Sequence, residues 1–175
     1  MDPLARRAPG LSNYPARVVV HSAGILLFRR GSSGPEVLLG HMGGPFWARK
    51  DAGAWSVPKG EHGPEEDPLD AAVREFAEEL GSPPPPGTPV ALGTVRQPSG
   101  KRLTVFALAG DLDAAAIVSN TFTLEWPRGS GRVREFPEID RAAWFGVPDA
   151  RQAVVRGQLP FLDRLGELLA RGTVD

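Results

Sequence analysis

The chain has 175 residues, a formal net charge of −1 at pH 7, three histidines and no cysteine. This length suits one domain with a sizeable core, and the lack of cysteine excludes disulfides, thiolate metal sites and cysteine nucleophiles. The balanced charge provides no global basic field for extended nucleic acid, whereas a small nucleotide needs only a local cluster of cations. The sequence has no apolar run of about 18 residues and no apolar N-terminal segment, so we expect no membrane span, no secretory signal and a cytoplasmic setting.

The predicted elements begin after an N-terminal segment, residues 1–16, which we expect to be a mobile tail before one domain over 17–175. Apolar and β-branched runs bounded by turn residues predict strands at 18–30, 36–39, 55–59, 90–96, 102–109, 119–126 and 141–146. Helical periodicity predicts helices at 68–80, 148–156 and 159–171. A glycine-rich loop is predicted over 43–54 and a stiff polyproline connector over 83–87. This order of elements predicts an α+β or α/β fold.

The helix predicted over 68–80 carries an unusual concentration of carboxylates. Glu75, Glu78 and Glu79 fall within an arc of about 100° on a helical wheel, because each residue turns the helix by about 100°. The apolar residues predicted to pack on the opposite side are Leu69, Ala72, Val73, Phe76, Ala77 and Leu80. Like charges at this spacing destabilise an isolated helix, whereas Mg²⁺ and Mn²⁺ favour such oxygen ligands. A solvated acidic face is the alternative interpretation.

Residues at both ends of this segment support the helix independently. Asp67 is the predicted N-cap, Pro68 suits the first helical position, and Asp70 lies in the first turn. Gly81 suits the left-handed position that follows a helix.

The segment from Gly60 onward resembles the signature of the Nudix hydrolase family. The residues in register with that signature are Gly60, Glu66, Arg74, Glu75, Phe76, Glu78, Glu79 and Gly81. Ser82 departs from the pattern, because an aliphatic residue is usual there. The resemblance implies the Nudix fold, a mixed sheet between helices in an α/β/α sandwich. It also implies metal-dependent hydrolysis of a diphosphate linkage in a nucleoside diphosphate derivative, with Mg²⁺ or Mn²⁺ as the cofactor.

The resemblance also implies roles for individual residues. Glu78 and Glu79 correspond to the core metal ligands, and Glu75 lies closer to the attacking water or to a further metal. The main-chain carbonyl near Gly60 resembles another metal-binding position. Arg74 would brace the carboxylates, and Glu66 would support them without contacting the metal itself. Which carboxylate acts as the general base stays open.

A further carboxylate outside the signature commonly completes such sites. Glu138 precedes Trp144 at the spacing that the family shows before its strand, which makes Glu138 a candidate ligand. Glu135 is its rival, and a solvated loop acid is a third interpretation.

The segment Trp55–Gly60 resembles the lead-in of Nudix subfamilies that act on dinucleoside polyphosphates and on diphosphoinositol polyphosphates. We therefore take Lys59, Trp47, Arg49 and Lys50 as candidate substrate-binding residues. A dinucleoside polyphosphate is the first choice of substrate, with ADP-ribose, nucleoside triphosphates and diphosphoinositol polyphosphates as alternatives. A tyrosine that dinucleoside polyphosphate hydrolases often carry downstream has no counterpart here.

Two other functional classes compete with this interpretation. One is an inactive Nudix-fold module for binding or regulation, which would be expected to show a broken carboxylate set, and here the set is whole. The other is a prenyl diphosphate isomerase, whose usual catalytic cysteine is absent. The expected partner is a small nucleotide, with no membrane and no extended nucleic acid, and a homodimer is compatible with the sequence.

Overall fold

The structure is a computed structural model that describes residues 19–172, so the predicted tail over 1–16 lies outside the described residues. Within that range the strands are β1 (His21–Gly31), β2 (Gly34–Met42), β3 (Trp55–Ser56), β4 (Lys59–His62), β5 (Val90–Arg96), β6 (Arg102–Ala109), β7 (Thr121–Glu125), β8 (Val133–Pro137) and β9 (Ile139–Gly146). The helices are α1 (Pro68–Leu80), α2 (Val147–Ala153) and α3 (Leu159–Ala170), with single 3₁₀ turns at Ala114–Ala116 and Arg156–Gln158. None of the described helices is long and apolar enough to cross a membrane.

Seven of the strands form one mixed sheet. Its central order is β3-β2-β1-β6-β5, while β4 pairs with the beginning of β1 and β9 pairs with β2. The β1–β6 pair is parallel, and the other pairs of this sheet are antiparallel. Because β4 pairs with residues 21–24 and β2 with residues 28–31, β1 holds the segment before α1 at one end and the β2 hairpin at the other.

Helices cover both faces of this sheet. Along β1, Ile25 and Leu27 face one apolar cluster with α1, whereas Leu26 and Phe28 face a second cluster with α2 and α3. This alternation is the period of a strand that is buried on both sides. The predicted mixed sheet between helices is therefore confirmed.

Helix α1 has the predicted bounds and caps. The Asp67 carboxylate accepts hydrogen bonds from the amides of Leu69 and Asp70, and Gly81 follows the helix at φ 77°. The predicted packing side, however, is wrong at Val73, which is exposed, while Glu75 and Glu79 are buried. The packed face is rotated toward the acidic residues because α1 lies against β4 as well as β1. Glu75 and Glu79 thus lie against the sheet edge, whereas Glu78 is exposed to solvent.

The number of strands differs from the sequence prediction at two places. The run predicted over 55–59 divides into β3 and β4, which pair with different neighbours, β2 and β1. Strand β8 was not predicted, because Val133, Arg134 and Glu135 are all exposed and show no alternation. It pairs with β7 in a separate two-stranded sheet. We call residues 121–137 the β7–β8 arm.

The arm packs against the loop over 43–54. The Phe46 and Trp126 rings meet edge to face, with their centroids 5.4 Å apart. The amide of Gly43 donates to the carbonyl of Glu138 at 2.8 Å. A Cβ atom at Gly43 would lie 1.9 Å from the Pro137 carbonyl oxygen, so only glycine allows the loop to approach this closely.

Replacing Gly43 with alanine should therefore destabilise the protein by about 1–3 kcal/mol, because the added methyl group must displace backbone. Gly63→Ala is the matched control, since nothing lies within 4 Å of a Cβ atom at that position. Its effect should stay within about 0.5 kcal/mol. Thermal or urea unfolding measures both, and equal stabilities for the two variants would contradict the close approach.

Candidate active site

The backbone between β3 and β4 is held tightly against β1. The Pro58 carbonyl accepts a hydrogen bond from the amide of Ile25 at 3.2 Å. A Cβ atom at Gly24 would lie 2.4 Å from the same carbonyl oxygen. This close pairing places Lys59 and Gly60 beside the acidic side of α1.

Glu79 is buried against this backbone, with only 7% of its surface exposed. Its carboxylate accepts a hydrogen bond from the Lys59 amide at 2.9 Å. Burial raises the pKa of Glu79 to about 8, the positive charge and amide of Lys59 oppose that rise, and the charges of Glu138 and Glu75 add to it. Glu79 is thus a buried carboxylate whose charge is only partly compensated by the protein.

Glu75 lies in contact with the backbone of Gly60. A Cβ atom at Gly60 would be 1.9 Å from the carboxyl carbon of Glu75, so any side chain there would occupy the position of the carboxylate. Burial raises the pKa of Glu75 above its usual value, while Arg74 acts in the opposite direction. The glycine predicted to lie near the metal is therefore required by Glu75.

Arg74 joins the surrounding carboxylates. Its guanidinium donates to both oxygens of Glu66 at 2.9 and 3.1 Å, and to Glu75 at 2.6 Å. It also reaches the Glu61 carbonyl at 3.2 Å and Glu78 at 3.5 Å. The hydrogen bonds raise the pKa of Arg74, and the bond from Arg74 lowers the pKa of Glu66. Only the planar fork of arginine can make these contacts together.

The structure separates the two acids considered outside the signature. Glu138 is half-buried in the turn between β8 and β9 and lines a cleft together with Glu79. Its backbone is fixed, because its amide donates to the Asn120 carbonyl, and the amide of Asn120 donates to the Glu78 carbonyl of α1. Glu135 is exposed on β8 and accepts a hydrogen bond from Thr121 instead. Only Glu138 lies with the signature carboxylates.

Two clefts meet at this place and share Met42, Trp47, Ser56 and Lys59. The small cleft, of about 280 Å³, contains Glu79, Glu138 and Phe122 besides the shared residues. The large cleft, of about 680 Å³, extends to the β5–β6 loop and the segment before α3. Lys59 and Trp47, both predicted from the sequence, line both clefts.

The other two predicted substrate contacts lie elsewhere. Arg49 and Lys50 are exposed on the 43–54 loop and line neither of these two clefts. The Lys50 ammonium lies 4.8 Å from the centre of the Trp47 ring. Nearness in sequence therefore did not bring these cations to the clefts that Lys59 lines.

Sequence reasoning missed most of the residues that line the clefts, among them three from distant segments. Phe122 comes from β7, and Gln97 and Lys101 come from the β5–β6 loop. The Lys101 ammonium pairs with Glu61 at 2.5 Å. The parallel pairing of β1 with β6 creates this contact, and no local sequence signal could have found it.

The carboxylate oxygens of this set are the type of ligand that a hard divalent cation favours. Glu79 is buried and accepts a hydrogen bond from the Lys59 amide, and Gly60 leaves room for Glu75 beside it. As the side chains stand within residues 19–172, no three acidic or histidine side chains are close enough to hold a metal. Glu75 is turned to Arg74 and Glu79 to the Lys59 amide, so binding a cation requires side-chain rotation.

Known structures share this fold. An Ap4A hydrolase of C. elegans, solved as a binary complex, matches with a TM-score of 0.60 and 21% identity, over 86% of this chain and 98% of that one. The NUDIX domain of Shewanella oneidensis NrtR, solved with ADP ribose, matches with a TM-score of 0.62 and 17% identity, over 88% and 90%. The Nudix hydrolase RenU of M. smegmatis matches with a TM-score of 0.55 and 25% identity, over 86% of both chains. No curated protein matches.

The model of the NUDIX domain family matches residues 19–165, which include the whole mixed sheet and α1. The chain therefore belongs to the Nudix family.

Proposed function

We propose that the chain hydrolyses a diphosphate linkage in a nucleoside diphosphate derivative, with Mg²⁺ or Mn²⁺ held by Glu75, Glu78, Glu79 and the carbonyl near Gly60. The observation that carries this proposal is the burial of Glu79 and Glu75 against the β4 backbone. Buried carboxylates are costly unless a cation or a proton neutralises them. Glu138, in the same cleft as Glu79, is the proposed further ligand.

A bound divalent cation would neutralise the charge of the diphosphate and favour ionisation of the attacking water. The protein's own groups do the rest. Arg74 holds Glu75 and Glu66 in fixed positions, and Lys59 brings a positive charge to the wall that the two clefts share. A carboxylate of the set accepts the proton of the water.

We propose a dinucleoside polyphosphate as the preferred substrate. The Trp55–Gly60 lead-in and Lys59 on the shared wall support it, and so does the similarity to an Ap4A hydrolase. ADP-ribose is the second candidate, because a NUDIX domain of similar fold was solved with that ligand. A nucleoside triphosphate or a diphosphoinositol polyphosphate comes next. We place the reaction in the cytoplasm, with a small nucleotide as the partner and a homodimer as a compatible state.

Glu79→Gln keeps the size of the side chain and removes its charge. We expect turnover to fall by orders of magnitude at saturating Mg²⁺, because the buried ligand loses its charge. Steady-state kinetics on the preferred substrate measure the effect. Near-normal kcat in this variant would contradict the role of Glu79.

Stability without metal provides a second measurement on the same variant. Since burial raises the pKa of Glu79 from 4.5 to about 8, the folded protein binds its proton more tightly than the unfolded chain does. The metal-free parent should therefore lose stability as the pH rises from about 4.5 to about 8. Glu79→Gln should lack this part of the decline, and an identical pH profile of thermal unfolding would argue against a buried carboxylate.

Arg74→Lys keeps the charge but loses the fork that contacts Glu66 and Glu75 together. We expect kcat to fall with little change in KM, because Arg74 supports the carboxylates rather than the substrate. A large rise in KM alone would instead assign Arg74 to substrate binding.

Glu138→Gln and Glu135→Gln form a matched pair, since the two acids are three positions apart but only Glu138 lines the cleft. Mn²⁺ titration should show weaker binding in Glu138→Gln, by about tenfold or more, and unchanged binding in Glu135→Gln. Equal affinities in Glu138→Gln and the parent would remove Glu138 from the metal site.

A substrate panel tests the proposed function directly. We expect kcat/KM to be highest for diadenosine tetraphosphate among that compound, ADP-ribose, a nucleoside triphosphate and a diphosphoinositol polyphosphate, and activity to require Mg²⁺. If diadenosine tetraphosphate ranks below another member by about tenfold, the substrate assignment is wrong while the class of reaction stands. No hydrolysis of any member with Mg²⁺ or Mn²⁺ would count against the proposed function itself.

A further inference from the structure

The large cleft is formed mainly by residues outside the family signature. One wall is the loop between β5 and β6, residues 97–101, and another is the segment that carries Val155 and Gln158. Trp47 and Met42 separate it from the small cleft, which they also line. Its specificity therefore has to come from residues that the signature does not contain.

The two clefts differ in both size and chemistry. The small cleft of about 280 Å³ is lined by one lysine and two carboxylates, Lys59, Glu79 and Glu138, together with six uncharged residues. The large cleft of about 680 Å³ is mostly apolar, and its volume lies within the range of about 300–1,000 Å³ typical of sites for small organic ligands. The small cleft suits a diphosphate, and the large cleft suits the organic group attached to it.

The wall formed by the β5–β6 loop is already in place. The Gln97 amide donates to the Lys101 carbonyl at 2.8 Å, and the amide of Gly100 donates to the Gln97 carbonyl at 2.8 Å. The Gln97 side chain donates to the Gly157 carbonyl at 3.0 Å, which ties the loop to the segment before α3. A ligand would not have to order this loop on binding, which lowers the cost of association.

The groups that face the large cleft match a nucleoside. Trp47 and Pro98 provide flat apolar surfaces for a base, and Ser99 provides a hydroxyl group for a sugar. Two cations lie between the large cleft and the small cleft. Lys101 is at the rim of the large cleft, and Lys59 is on the wall that both clefts share. A phosphate chain could follow these two lysines from the organic group to the carboxylates.

We propose that the large cleft binds the nucleoside of the substrate, with its base against Trp47 and Pro98, and that the loop over residues 97–101 determines specificity. This inference rests on the proposed function, which it deepens by assigning the nucleoside to one of the two clefts. It commits to a nucleoside rather than to a sugar phosphate.

AMP binding to the metal-free full-length protein in EDTA tests the inference without catalysis. In NMR titrations we expect AMP to shift the backbone amide signals of Gln97, Ser99, Gly100 and Lys101 and the Trp47 indole signal. Ser99→Trp would fill the mouth of the cleft and should weaken AMP binding by about tenfold or more, as the loss of a base-stacking contact does. Shifts confined to Phe122 and Glu138, or unchanged affinity in Ser99→Trp, would overturn the assignment.

Ser33→Trp is the matched control. Ser33 is exposed in the β1–β2 turn, about 30 Å along β1 from the end that adjoins the cleft. AMP affinity in this variant should equal that of the parent. Ser99 is also exposed, so both variants should fold, and Ser99→Leu is the smaller replacement if Ser99→Trp unfolds at a lower temperature than Ser33→Trp.

Two further ligands identify which part of AMP is recognised. Ribose 5-phosphate should bind at least about tenfold more weakly than AMP, because it lacks the base. Equal affinities would make the cleft a sugar phosphate site and overturn the nucleoside assignment. Lys101→Gln should weaken AMP binding more than adenosine binding, since Lys101 is proposed to contact the phosphate.

Failure of this inference can be distinguished from failure of the proposed function. If AMP binds elsewhere but the substrate panel shows Mg²⁺-dependent hydrolysis, only the cleft assignment is wrong. If AMP binds as expected but no member of the panel is hydrolysed, the cleft assignment stands and the proposed hydrolysis is wrong.

Discussion

The contact between the Glu75 carboxylate and the backbone of Gly60 sets how closely α1 can approach β4. A Cβ atom at Gly60 would overlap that carboxylate, because the Glu75 side chain already fills the space beside the glycine. The Lys59 amide, one residue earlier, donates to Glu79, one turn further along α1. Helix, strand and carboxylates are therefore positioned by one another. The geometry of the site follows from this packing and not from a flexible loop.

This packing has an electrostatic cost that the surrounding groups reduce. Burial disfavours the charged forms of Glu75 and Glu79, and the proximity of Glu138 adds repulsion. Arg74 offsets part of this cost at Glu75, and Lys59 offsets part of it at Glu79. The remaining uncompensated charge is what a divalent cation would neutralise. Under the proposed function, the cost of burying these carboxylates without a metal would favour cation binding.

The sequence was most informative where local chemistry decides structure. The bounds of α1, β5 and β6 and the capping residue Asp67 agree with the prediction, because capping, periodicity and turn residues act over a few positions. The packing side of α1 was wrong at Val73, since a wheel does not show which neighbouring element the helix will meet. Strand β8 escaped prediction because its side chains are exposed.

The same distinction between local chemistry and tertiary packing applies to the candidate site. The grouping of Glu75, Glu79 and Arg74 could be predicted because they share one helix, and Glu138 was one of two acids considered outside the signature. Lys101 and Phe122 reach the clefts through pairing and packing between distant segments, which no local pattern encodes. The large cleft as a whole is such a product of tertiary structure.

The hydrogen bond between the Glu138 amide and the Asn120 carbonyl closes the base of the β7–β8 arm. The two ends of the arm are therefore hydrogen-bonded at its base. Among the described residues, the strands of the arm pair only with each other. Asn120 is in turn bonded to the Glu78 carbonyl, so Glu138 is anchored to α1 below the arm. The arm can thus change in length or sequence, by evolution or by design, while the position of Glu138 is kept. The fold separates a part of the cleft wall that is free to vary from the carboxylates that must stay in place.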